Sequence, residues 1–114
     1  MAIESPTALD YGFGALSDPT RRAILARLAL GEATVSELME PFALSQPTIS
    51  KHLKVLERAG LIEGGRDAQR RPRRLRADAL RDLVDWITIC RDTWDRRLDN
   101  LERHLATHQS KESE

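Results

Sequence analysis

Four helices, a short hairpin and a final long helix, in the order α-α-α-α-β-β-α, are the fold this 114-residue sequence predicts: mainly α with a small β-hairpin. Three observations carry the prediction. Helix-start signals recur at Ser17-Asp18-Pro19, Thr34-Val35-Ser36-Glu37 and Ser45-Gln46-Pro47, with Gly31 and Gly60 as stops. Two short strand-like pieces flank an arginine-dense stretch from Arg66 to Arg76. Apolar residues then return every three or four positions from Leu80 to Leu105.

Each element follows from its residues. Residues 8–16 form a short helix, weakened by Gly12 and Gly14. Asp18 is the N-cap of a helix over about 19–30, with Pro19 at its first position and Ile24, Leu25 and Leu28 facing inward. Thr34 and Glu37 make a capping box for a short helix whose Val35, Leu38, Met39 and Phe42 face the core and whose end lies near Pro41. After the turn at Ala43-Leu44, Ser45 caps the next helix, and Pro47 sits in its first turn, where a missing N–H matters little. Ile49, Leu53 and Leu56 share one side of that helix; Lys51, Lys54 and Arg58 share the other. Leu61-Ile62-Glu63 and Arg73-Arg74-Leu75-Arg76 are the paired strands, with Asp67 to Arg70 at the tip; Pro72 cannot donate to a ladder, so its strand is expected at an edge. The last helix runs from about Asp78 to Thr107. A single domain over 8–107 is therefore expected, between loose tails at 1–7 and 108–114.

Composition narrows the function. Aromatics are only 4% of the chain, and a lean helical core gains burial by dimerising. Cys90 is the single cysteine, which rules out an internal disulfide and fits a reducing cytoplasm. No apolar run reaches the roughly 20 residues of a membrane span, and Met1 to Pro6 lacks the basic start and apolar stretch of a signal peptide. Net charge is zero, but it is segregated: residues 45–76 hold nine cations against three anions, +6, and the remainder is −6. A locally positive helix and hairpin suit a DNA groove and its phosphates, because association follows the local field.

Gln46, Thr48, Ser50 and Lys51, early in the basic helix, can hydrogen-bond base edges or phosphates, and Lys54 adds charge on the same side. His52 borders the apolar face, where packing is the alternative to DNA contact. Arg70, Arg71 and Arg73 are the candidate hairpin contacts to phosphate or minor groove. Arg66, Arg74 and Arg76 have acidic neighbours in Glu63, Asp67 and Asp78, and surface ion pairs are expected for Arg21 and Arg22. A stripe as long as Leu80–Leu105 exceeds what so small a domain can cover, so Leu83, Ile87, Trp94, Leu98 and Leu101 are the candidate dimer contacts. Cys90 lies on the stripe and is expected to pack as a small core residue; Trp86 is expected in the core or the interface. No nucleophile, base and orienting group come together, and no phosphate-binding glycine loop is present, so an enzyme is not expected.

Ala15-Leu16-Ser17-Asp18-Pro19-Thr20-Arg21-Arg22-Ala23-Ile24-Leu25, Leu44-Ser45-Gln46-Pro47-Thr48-Ile49-Ser50-Lys51-His52-Leu53-Lys54-Val55-Leu56 and Ala59-Gly60-Leu61-Ile62 together resemble the ArsR/SmtB family of bacterial repressors, and the resemblance runs from Phe13 to Leu105. It implies a winged helix-turn-helix that, as a homodimer, binds a near-palindromic operator in double-stranded DNA and blocks transcription until an effector arrives. The family's metal-binding cysteine pair would fall within Thr34–Glu40, where this sequence has none. Of the Asp, His and Glu residues that form the family's alternative sites on the final helix, this resemblance leaves only His104 and His108, two ligands without a nearby cysteine. The Arg71-Pro72-Arg73-Arg74-Leu75 segment and the Trp86/Trp94 helix look like a subgroup that does not sense metal, often encoded beside START-like ligand-binding proteins. No metal and no cofactor are therefore expected. The alternatives are a metal-responsive repressor and a winged-helix interaction module that has lost DNA binding.

Overall fold

The computed structural model describes residues 7–64 and 72–112, with side-chain surroundings given through residue 108. Two compact units divide at Leu83 and Val84. The first contains α1 (Ala8–Leu16), α2 (Pro19–Leu28), α3 (Val35–Met39) with a single 3₁₀ turn at Glu40–Phe42, α4 (Gln46–Arg58), β1 (Ile62–Glu63), β2 (Arg74–Leu75) and the opening turns of α5 (Ala77–Glu112). The second is the remainder of α5. Mainly α with a small hairpin is what the chain adopts.

Local chemistry sets the boundaries. Thr7 caps α1, Asp18 caps α2, Thr34 caps α3 and Ser45 caps α4, each side chain accepting from a backbone N–H three residues on. Reciprocal capping boxes form at Thr7/Asp10 and Thr34/Glu37. Helix α4 ends in a Schellman motif. Gly60, at φ 73°, donates to the carbonyl of Glu57, and Leu61 donates to that of Leu56. Ala43, at φ 52°, takes the left-handed conformation in the turn that separates α3 from α4.

Ile24, Leu38, Ile49, Leu53, Leu56 and Leu61 are the large side chains most completely removed from solvent, so α2, α3, α4 and β1 share one core. Leu83 also belongs to it, at 4% exposure. Its methyl groups lie over Gly12 of α1, where a Cβ would stand 2.7 Å from Cδ2 of Leu83. The glycine that weakens α1 as a helix is what lets α5 approach it. Leu83, expected at a dimer contact, is thus a core residue of the single chain.

The hairpin is antiparallel, with Ile62 opposite Leu75 and Glu63 opposite Arg74. It is shorter than the residues suggested, and the strand after Pro72 is not an edge. Arg73 and Ala33 exchange both backbone hydrogen bonds, at 2.7 and 3.1 Å, on the side away from β1. Pro72 precedes this bridge, so its missing N–H interrupts neither ladder.

Three of the caps titrate. Backbone N–H donation, from Thr7 to Asp10, from Arg21 to Asp18 and from Thr34 to Glu37, holds these carboxyls below the ordinary carboxylate range. A depressed folded-state pKa contributes stability that is complete above the ordinary range and is lost as pH falls through the lowered values. Helical circular dichroism should therefore weaken in acid below that range. Asp18→Asn, which keeps a capping side chain, should remove Asp18's share of the acid sensitivity, and an unchanged acid midpoint would contradict it.

Candidate nucleic-acid interface

The apolar face of α4 determines what the opposite face can present. With Ile49, Leu53 and Leu56 buried, Lys51, Lys54 and Arg58 are directed to solvent, one turn apart along the helix. None of the three is in an ion pair among the described residues. Gln46 and Ser50 are half-buried beside them. Thr48 shares the cap: its hydroxyl lies 2.9 Å from that of Ser45 and its N–H donates to the same oxygen. The first turn thus offers a preorganised row of polar groups, and the two lysines supply unneutralised charge.

His52 is turned toward α2. Its Nδ1 is 3.4 Å from a terminal guanidinium nitrogen of Arg21 and 3.9 Å from the Asp18 carboxylate. Arg21 also donates from Nε to the carbonyl of Ala15 and from its second terminal nitrogen to that of Gly14. Arg22 donates to the carbonyl of Leu16. Both arginines, expected in surface ion pairs, close the open carbonyl end of α1. The signal was their position: an arginine in the first turn of a helix that starts directly behind another can reach back to it.

On the hairpin, Arg73 departs from expectation. It is 3% exposed, and its Nε donates to Oε1 of Glu57 at 3.0 Å, so it cannot be a phosphate contact in this conformation. Glu57 on α4 and Gly64 after β1 complete its surroundings, and neither was singled out from the residues. Arg74 donates to Glu63 at 2.7 Å, a bond that raises the guanidinium pKa. Arg76 bonds Asp78 at 3.0 Å and lies 3.6 Å from Glu63, as their acidic neighbours suggested. Arg76 in turn holds the Asp78 carboxyl below its ordinary range. Arg66, Arg70 and Arg71 lie outside the described residues.

Along the rest of α5, Ile87, Trp94, Leu98 and Leu101 are 40–55% exposed, as apolar side chains on one helical stripe with Val84 and Leu105. Cys90, expected to be a core residue, is exposed with them. Trp86 and Ile89 widen the apolar surface on one flank. The rings of His104 and His108 stack with centroids 6.4 Å apart. Among the described residues no group of three or more His, Cys, Asp or Glu side chains could hold a metal ion, and no helix is long and apolar enough to cross a membrane.

Known proteins share this arrangement. The family model described as "Helix-turn-helix domain" matches residues 16–64, from the end of α1 through β1. The transcriptional repressor SdpR of Bacillus subtilis (strain 168) is 40% identical over 75 residues, 66% of this chain and 83% of that protein. The crystal structure of an ArsR family transcriptional regulator, RHA00566, superposes with a TM-score of 0.70 at 37% identity, covering 78% of this chain and 98% of that one. The homodimeric winged helix-turn-helix DNA-binding domain of Mb0332 from Mycobacterium bovis, solved by NMR, gives 0.59 at 26% identity over 81% and 91%. With α4 presented as the second helix of the motif and the hairpin as its wing, the chain belongs to the ArsR/SmtB family of DNA-binding transcriptional repressors.

Proposed function

We propose that the protein is a homodimeric repressor that reads a near-palindromic operator with α4, from Gln46, Thr48, Ser50, Lys51 and Lys54, while the wing arginines Arg70 and Arg71 lie on the flanking phosphates. The observation that carries this is the face of α4 itself: a capped helix whose inward side is sealed in the core and whose outward cations are unneutralised. His52, held between Arg21 and Asp18, supports the placement of α4 rather than reading bases. The exposed stripe Ile87–Trp94–Leu98–Leu101 joins the two copies, a reading supported by the homodimeric Mb0332 domain. Residues 8–107 form the DNA-binding and dimerisation domain, and α5 continues past the expected end at Thr107 to Glu112. The protein acts in the cytoplasm, without enzymatic activity and without a requirement for metal.

Salt titration of duplex binding tests the surfaces. Each phosphate neutralised contributes about 0.9 to the slope of log affinity against log salt. Arg70→Ala with Arg71→Ala should flatten the slope and weaken all duplexes alike. Gln46→Ala with Lys51→Ala should narrow the preference among sequences, by about 1–3 kcal/mol for a lost bidentate base contact. Unchanged affinity in both pairs would remove these residues from the interface.

Metal independence has its own test. Dialysis against a strong chelator should leave operator binding intact, and stoichiometric zinc should not reverse it. Tight zinc binding that disappears with His104→Ala and His108→Ala would show instead a metal-responsive repressor.

A further inference from the structure

Arg73 lies in the most positive stretch of the chain and is nonetheless withdrawn from solvent, its side chain 4% exposed against Glu57. Three neighbours make the place. Glu57 stands in the last turns of α4, between Lys54 and Arg58 in sequence. Ala33, in the segment before α3, takes both backbone hydrogen bonds of Arg73. Gly64 leaves the space: a Cβ there would fall on the Glu57 carboxylate and 2.8 Å from Nε of Arg73. One residue thereby joins the recognition helix, the root of both hairpin strands and the approach to α3.

Stability alone is a poor account of such a pair. Taking the Arg73 guanidinium out of water offsets much of its attraction to Glu57, whose side chain stays 35% exposed, and apolar residues of similar volume commonly serve as well. What an apolar pair lacks is direction. The planar guanidinium bonds Glu57 from its side chain while its backbone is fixed by Ala33, which sets the hairpin at one angle to α4.

We propose that Arg73 is a positioning residue for DNA recognition: through Glu57 it locks the root of the wing to the C-terminal half of α4, so that helix and wing meet the duplex in a single register. The proposal rests on the DNA-binding surfaces described under the proposed function.

Two variants test it on a random-sequence duplex, with melting curves and circular dichroism recorded in parallel. Glu57→Ala removes a carboxylate from a surface that faces phosphate, which by itself tightens binding; the positioning role requires weaker binding instead. Tighter or unchanged affinity in a folded Glu57→Ala protein would overturn the proposal. The pair Glu57→Met with Arg73→Met leaves net charge unchanged and should melt no lower than the parent. Its loss of affinity between 50 and 200 mM salt should nevertheless shrink by about 3.5-fold for each phosphate contact given up. A salt slope equal to the parent's overturns the proposal, and it carries the decision alone if Glu57→Ala does not fold. Absence of duplex binding by the parent protein is a different result, which removes the DNA-binding reading itself.

Discussion

Trp94→Asp combined with Leu98→Asp should convert the protein to a monomer and lower its affinity for a two-half-site operator by about 100-fold or more, the range by which linked binding exceeds single-site binding. Both side chains lie on the α5 stripe, 55% and 40% exposed, with Ile87, Leu101 and Leu105 before and after them. Burying such a side chain contributes about 1.5–3 kcal/mol, so a stripe of this length covered by a second copy supplies much of an association energy. A carboxylate at its middle would have to be desolvated without a partner. Two recognition helices held about one helical turn apart engage both half-sites of a palindrome, whereas a monomer engages one. Light scattering decides the first step. The parent should have twice the 12.9 kDa chain mass, and the variant 12.9 kDa. A parent mass of 12.9 kDa at micromolar concentration would contradict the dimer.

Leu53→Ala should have the largest effect on stability, lowering it by about 2–5 kcal/mol. Leu53 is 1% exposed, midway along α4, and packs within the core shared by α2, α3 and β1. Against a typical total of about 5–15 kcal/mol, that loss removes a large fraction of the population at physiological temperature. Lys54→Ala, the next residue along, makes the comparison informative: its side chain is exposed, so melting should stay within about 0.5 kcal/mol while the salt slope flattens. Equal melting of the two variants would mean that α4 does not present its faces as described.

Local chemistry was readable and long-range pairing was not. Asp18-Pro19, Thr34 with Glu37, Ser45 with Pro47, and Gly60 announce their helix ends because each cap is completed within a few residues. The two faces of α4 followed from a period of 3.6. The burial of Arg73 did not, because its partners Glu57 and Ala33 are brought to it by the fold, and in sequence it is one arginine among several. Leu83 was ambiguous for another reason. It and Val84 are adjacent on the α5 stripe, and only the gap above Gly12 decides that Leu83 is the one taken into the core. Arg21 and Arg22 were read by charge, when their donors are used on carbonyls of the preceding helix.

The bridge between Ala33 and Arg73 also bears on the order in which the chain assembles. Closing a loop of about 40 residues carries an entropic penalty that neighbouring helices, turned directly onto one another, largely avoid. The wing root is thus expected to dock late, after α2, α3 and α4 have formed their common core. Interactions absent from the folding transition state govern how fast the native state opens rather than how fast it forms. Breaking the Ala33–Arg73–Glu57 junction should accordingly speed unfolding and leave the folding rate nearly unchanged, which stopped-flow kinetics of the Glu57→Ala protein would show.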